Sequence, residues 1–386
     1  MLPGVRRVEN VTPPSPVVVT TASGVDNDTT SLWLFGEVED TVLLPMLLSF
    51  IAIWCVIGNA IVIYSVLANR SMRTGFNLML LNISACDLVF ILLTVPTATV
   101  NHASYGRLTE LPGVEICKFV HYITFVTVYV AVYTLVVMCV FCFCGEFMSD
   151  KGKTVSYLSR GNAVMSCFVI WIAFLLSHLN FLIQPDVAIF QEPFICLHSD
   201  ALMEPMKLRT LWVTFLTCGF LLPLISIVLL SVFVLRKQHT DDTVLHLRRH
   251  GYYENVSVNV TSQAELAPRR KKTVVIMTAM VARILCWLPL QVFVMIDIFG
   301  YSPSDMFYRK AEMLSVCVAF VGACVNPTVY YYAYTELSNA IKETLVRFGC
   351  GRCVTLTAED EHSDMNETVM SIISDSTNQI NQQHMF

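Results

Sequence analysis

The chain has 386 residues, of which 55% are hydrophobic and only 14% charged, with a formal net charge of −5. Soluble domains carry about 45–50% apolar and about 25% charged residues, so this composition, with a mean hydropathy of +0.59, excludes an ordinary soluble globular protein. It also excludes a chain disordered throughout, and the acidic balance leaves no basic footprint for nucleic acid.

Residues 1–40 are rich in Pro, Thr, Val and Asp and lack an apolar run resembling a signal peptide. They are expected to form a disordered tail, with the first span acting as signal anchor. Seven apolar stretches follow, at about 42–68, 77–100, 117–144, 163–184, 211–235, 273–298 and 312–334. Each is long enough to cross a hydrocarbon core of about 30 Å, which takes roughly 20 helical residues. Charges within them are few, Asp87, Arg283, Asp297 near an end and Glu312 at a border among them. A helix satisfies its own backbone hydrogen bonds, so the expected fold is an all-α membrane protein, a seven-transmembrane-helix bundle spanning 41–335. Pro96, Pro223, Pro289 and Pro327 fall inside spans, where membrane bundles tolerate them. Many of the cysteines, such as Cys142, Cys144, Cys167, Cys218, Cys286 and Cys324, also lie in apolar runs. They read there as small hydrophobes rather than a disulfide scaffold.

The polar stretch 236–272 reads as a disordered inner loop, and 354–386 as an acidic Ser/Thr/Asn/Gln tail. Between the last span and that tail, 336–349 is amphipathic, with Leu337, Ile341, Leu345 and Phe348 on one side. This predicts a short eighth helix lying along the membrane lipid. Cys350 and Cys353 follow directly, opening the cytoplasmic tail 350–386, and are candidates for lipidation. Sixteen of the 25 lysines and arginines fall on the side that carries the C-terminus and eight on the other, with Arg283 inside a span. Basic loops stay inside, so the N-terminus is expected outside, in a multi-pass protein of the plasma membrane. Asn10 and Asn27 head glycosylation sequons in the outer tail, whereas the sequons at Asn255 and Asn259 fall on the cytoplasmic side.

Polar and ring residues recur inside the spans in a definite order. Gly58-Asn59 lies in the first, Asn82 and Asp87 in the second, Trp171 in the fourth and Pro223 in the fifth. Cys286-Trp287-Leu288-Pro289 lies in the sixth and Asn326-Pro327-Thr328-Val329-Tyr330 in the seventh. This set resembles rhodopsin-like (class A) G-protein-coupled receptors across 45–335. Met72-Arg73-Thr74 with Asn77 to Ser84, Val95-Pro96, Cys117 to Tyr122, and Trp287 to Gln291 are similar to the galanin and allatostatin-A type neuropeptide receptors.

The resemblance implies several roles. Cys117 and Cys196 match the pair that joins the top of the third helix to the second outer loop, on the oxidising side. Asp87 matches a sodium-binding carboxylate, with Asn326 retained, but Ala131 and Gly322 stand where the family usually has Ser and Asn. Trp287, below the ligand cavity and near the Pro289 kink, matches a rotamer switch; the alternative reading is a packed core aromatic. Asn59, Pro327 and Tyr330 complete the matched set of switch and ion-site positions. By family position the ligand cavity would be lined by His121, Thr124, Phe125, Val128, Gln291, Asp297, Met313 and Val316. Thr124 stands where amine receptors carry Asp, and the last span has no Lys for a retinal Schiff base. The remaining set is mostly neutral or aromatic and suits an amidated, apolar peptide end.

Two departures bear on signalling. The family's acidic–Arg–Tyr triplet at the inner end of the third helix is replaced by Phe141-Cys142-Phe143, and Ser231 replaces a usual Tyr on the fifth. A Cys cannot supply the charge-assisted fork of an Arg. The expected function is therefore a receptor for a neuropeptide-like ligand, transmitting a helix rearrangement to a heterotrimeric G protein or arrestin with atypical or weak G-protein coupling. The alternative is a non-signalling decoy or an accessory subunit of another receptor. Ser363, Ser371, Ser374 and Ser376 in the tail would serve arrestin once phosphorylated. No phosphate loop, nucleophile–base pair or metal-spaced cluster argues for an enzyme, a cofactor or a metal.

Arg283 remains. It lies four residues before Trp287, where the family usually has Phe, and a guanidinium at that depth needs a partner. Asp87 is the acid expected at comparable depth, so Arg283 is expected to pair with it in place of the ion.

Overall fold

The computed structural model describes residues 44–103, 114–147, 159–179, 182, 205–249, 263–299 and 306–347. Helix α1 is Leu44–Ala68, α2 Gly75–Ala103, α3 Val114–Phe147 and α4 Arg160–Ser177. Helix α5 covers 205–249 and contains a π-turn at Thr217–Leu221, α6 is Gln263–Ile298, α7 Met306–Ala333 and α8 Thr335–Arg347. Seven of these are long and apolar enough to cross a membrane. The eighth is amphipathic and buries Leu337, Ser338, Ala340, Ile341 and Thr344 along one face. Among the described residues there are no strands.

Outward faces of the spans are apolar, as lipid requires. Phe50, Ile53, Trp54 and Ile57 on α1, and Val164, Met165, Phe168, Val169 and Ile172 on α4, are all exposed. The polar residues turn inward instead and tie helices together. Asn82 of α2 donates to Thr134 of α3 at 2.9 Å and accepts the indole N–H of Trp171 of α4 at 2.9 Å. Asn59 of α1 donates to the Ala323 carbonyl of α7 at 3.1 Å. Ser65 of α1 meets Thr344 of α8 at 2.9 Å. Inside hydrocarbon an unmade bond of this kind costs several kcal/mol.

Glycines set two close approaches. A Cβ on Gly58 would stand 3.2 Å from the ring of Pro327, so the missing side chain lets α1 meet α7. A Cβ on Gly322 would come within 3.0 Å of Cys286 Cβ and 3.4 Å of the Trp287 indole, which brings α7 against α6.

The π-turn in α5 follows from Pro223. Leu222 N–H bonds back to the Thr217 carbonyl, so the next N–H in the π pattern, owed to the Cys218 carbonyl, would come from Pro223, which has none. The Tyr133 hydroxyl of α3 donates to that carbonyl at 3.0 Å. The sequence marks the proline, but only packing reveals that α3 supplies the missing donor.

The inner loop is shorter than its polarity suggests. Residues 236–249 and 263–272, expected to be disordered, continue α5 and α6. The Lys237–Asp241 ion pair at i,i+4 supports the extension. Thr240 and Thr243 turn their hydroxyls back onto the Arg236 and His239 carbonyls at 3.0 and 2.9 Å. Polarity here marks the exit from the membrane, not the end of the helix.

Tyr133→Phe should lower thermal stability by about 1–3 kcal/mol, the cost of a buried carbonyl left without its donor. Melting of the purified protein in detergent checks this, and Tyr129→Phe serves as the comparison for loss of a hydroxyl alone.

Candidate functional site

The polar centre of the bundle forms where α2, α6 and α7 converge. Arg283 of α6 directs Nη2 at both oxygens of Asp87 of α2, at 2.8 and 3.1 Å. Each of the two side chains is only 3% exposed. Asn326 of α7 donates its amide to the same carboxylate at 2.6 Å. The carboxylate thus accepts three charge-assisted or polar bonds from two helices. Around it, Arg283 Nε, Asn326 Oδ1, Ser84 Oγ and the Tyr330 hydroxyl are buried with no hydrogen-bond partner among the described residues. The sodium ion that the resemblance implies at Asp87 does not fit these residues. The guanidinium spans both carboxylate oxygens, Asn326 turns its N–H₂ toward them, and Ala131 and Gly322 supply no side-chain oxygen.

Outward of this centre stands a column of rings. Trp287 lies 5.7 Å from Phe90 and 5.8 Å from Phe220, centroid to centroid. Phe220 meets Phe215 at 5.5 Å, and Phe215 meets Phe125 of α3 at 5.0 Å. Phe125 stacks on His178 at the outer end of α4 at 6.4 Å, and Tyr129 approaches the same imidazole at 4.7 Å. A displacement of Phe125 therefore has a contiguous path of packed rings to Trp287.

His121, Thr124, Phe125 and Val128 recur at i, i+3, i+4 and i+7 and share one face of α3. His121 and Val128 are buried, and Thr124 turns its hydroxyl onto the Val120 carbonyl at 2.7 Å. Gln291 lies one turn outward of Trp287, buried, with Oε1 unpartnered among the described residues. Val316 is buried and Met313 half-buried on α7. Asp297 and Cys117 lie in helices, but their side chains fall outside the described residues, as do Cys196, Asn10, Asn27, Cys350 and Cys353.

At the inner end, Cys142 is half-buried on α3 and packs against the core. Ser231 points inward and meets Cys139 at 3.3 Å, tying α5 to α3. One turn beyond Cys142, Glu146 has a side chain 5% exposed, accepts from Gln238 of α5 at 2.9 Å, and stands 3.7 Å from Arg269 of α6. The following basic residues of α6 hold other elements. Lys271 donates to Thr335 at the start of α8 at 2.8 Å, and Lys272 lies 5.5 Å over the Phe76 ring of α2. Phe76 in turn meets Tyr334 edge-on at 5.3 Å. The Tyr334 phenol donates to Glu336 at 2.7 Å. Sequence reasoning missed this network. Its one signal was Glu146, an acid at the inner end of an otherwise apolar span.

Seven membrane-length helices around a buried polar centre, with an amphipathic helix beneath, define a multi-pass membrane protein of receptor architecture. The family model for the 7 transmembrane receptor (rhodopsin family) matches residues 58–330, and the chain belongs to that family. It is a receptor of the cell membrane and not an enzyme. The allatostatin-A receptor of Bombyx mori is 24% identical over 322 residues, covering 80% of this chain and 82% of the relative. Galanin receptor type 1 of Rattus norvegicus is 27% identical over 349 residues, covering 86% and 89%. Galanin receptor 2a of Danio rerio is 24% identical over 323 residues, covering 81% and 79%. Galanin and allatostatin-A receptors are thus among the proteins of the family that this chain is similar to along most of its length.

Glu146→Ala removes the acceptor shared by Gln238 and Arg269 and should cost about 1.5–3 kcal/mol, the range for a hydrogen bond to a charged group. Glu146→Gln keeps an acceptor and should cost less, as read from melting temperatures of the two variants side by side.

Proposed function

We propose that this chain is a plasma-membrane receptor for a neuropeptide-like ligand, with its N-terminus outside, that relays a helix rearrangement to a heterotrimeric G protein or arrestin and couples to G protein weakly. The ligand class rests on two supports. The relatives carry the names of receptors for allatostatin-A and galanin. The outer-half residues His121, Thr124, Phe125, Val128, Gln291, Met313 and Val316 are neutral and partly aromatic, fitting an amidated apolar end. Cys117 and Cys196 would close the outer loop over this cavity. Glycans on Asn10 and Asn27 and lipid on Cys350 and Cys353 fit the same topology.

Phe141-Cys142-Phe143 is the observation that carries the coupling claim. The α3 inner end offers a partly buried thiol where the family presents a guanidinium. It has no fork for backbone carbonyls or carboxylates of a docking partner. The same observation favours a second reading, a decoy or accessory subunit that binds but does not signal.

Nucleotide exchange and arrestin recruitment in cells, driven by amidated galanin- and allatostatin-like peptides, separate the two. The receptor reading expects ligand-dependent arrestin recruitment with little exchange. Rebuilding the triplet by Phe141→Asp, Cys142→Arg and Phe143→Tyr should raise exchange at least tenfold, about 1.4 kcal/mol in coupling. Strong exchange by the unmodified chain would overturn the weak-coupling claim, and binding with neither output in either form would support the decoy. Separately, Cys117→Ala and Cys196→Ala should each abolish surface ligand binding. Bridges that close loops contribute about 2–4 kcal/mol, and normal binding by both variants would remove the bridge from this account.

A further inference from the structure

We propose that Arg283 is the built-in cation of this receptor's polar centre. Its guanidinium, carried by α6, fills the cation's place at Asp87, ties the position of α6 to α2 and α7, and leaves the centre unresponsive to sodium.

The argument starts from burial. A carboxylate and a guanidinium, both almost fully excluded from solvent, can each persist only if paired. Here each is the other's partner, at 2.8 and 3.1 Å, and Asn326 completes the carboxylate from α7 at 2.6 Å. With those three bonds made, the negative charge is neutralised by a group covalently part of the protein. A mobile monovalent cation would have to displace the guanidinium, and a displaced guanidinium would be an uncompensated charge in hydrocarbon.

A tethered cation differs from a free one in a physical respect. A bound ion can enter and leave while the helices stay in place. Arg283 cannot leave Asp87 unless α6 moves or the side chain swings away. Arg283 lies four residues inward of Trp287, on the same side of α6, so movement at that ring acts on the pair directly. The grip is also incomplete. One nitrogen makes both bonds, while Nε is buried without a partner, as are Asn326 Oδ1 and the Tyr330 hydroxyl on α7. A guanidinium withdrawn from α2 would find these unmet polar groups of α7 in the same centre. The pair thus favours one position of α6 without foreclosing another, the requirement for a two-state element.

The test uses the full chain in lipid nanodiscs, melted in sodium chloride and in choline chloride at equal ionic strength. Unmodified protein should melt at the same temperature in both. Asp87→Asn and Arg283→Met should each lower the melting temperature by at least about 5 °C, because each leaves one buried charge unpaired. Asp87→Asn with Arg283→Met should regain more than half of the summed loss. Two results would overturn the proposal: losses that add in the double variant, or a sodium-specific rise in the melting temperature of the unmodified chain. If a single variant cannot be purified, surface yields of the three variants are compared under the same criterion. The melts need neither peptide nor G protein, so failure here leaves the receptor reading standing, and failure of every peptide leaves this assignment standing.

Discussion

Inside a bilayer every backbone N–H and C=O must find its partner within the protein, and nearly everything in this structure answers to that constraint. It selects helices for all seven crossings. It also determines what happens where a helix is interrupted. Pro223 leaves the Cys218 carbonyl without its donor, and a tyrosine hydroxyl from α3 takes the position. In a soluble protein water could have served. Here the repair has to come from a neighbouring helix, so a local defect in α5 becomes an interhelical tie.

The same reasoning extends to side chains. Hydrophobic burial does little to choose partners among helices that are apolar all round, since lipid is as apolar as leucine. Specific pairing comes from close approach at Gly58 and Gly322 and from the few polar groups that cannot face lipid. Asn82 joins three helices through Thr134 and Trp171, and Asn59 joins α1 to α7. Asp87, Arg283 and Asn326 join α2, α6 and α7. The polar centre is therefore also a structural hub. That coupling is why a change at the centre is felt along α6, where Trp287 links it through Phe220 and Phe215 to Phe125.

Inner and outer halves of the molecule follow different logic. The outer half is a packed aromatic column that transmits displacement by contact. The inner half is a packed apolar core to which charged groups add interhelical ties. Glu146 gathers Gln238 and Arg269, while Lys271 and Lys272 reach α8 and α2. The Lys271 contact, exposed at the aqueous face, is of a kind that is individually modest, whereas Glu146 is buried. At this inner end Cys142 stands where the family resemblance leads one to expect an arginine, and a thiol cannot form a guanidinium's charge-assisted fork.

The chain's composition and hydropathy alone determined that seven helices cross a membrane, because the length of an apolar run is set by bilayer thickness and read directly from the residues. The ordered polar motifs pointed to the receptor family, and an isolated Arg283 announced its need for an acid before any geometry was known. Tertiary structure decided the rest. The polarity of 236–249 and 263–272 indicated departure from lipid but could not tell a helix from a coil, since the residues that the α5 extension buries, Gln238 and Asp241, are themselves polar and carry no apolar period. The π-turn, the Tyr133–Cys218 tie and the Glu146 network each depend on which side chain a neighbouring helix presents. That is set by helix rotation and depth, and those follow from the packing of all seven helices together rather than from any one segment.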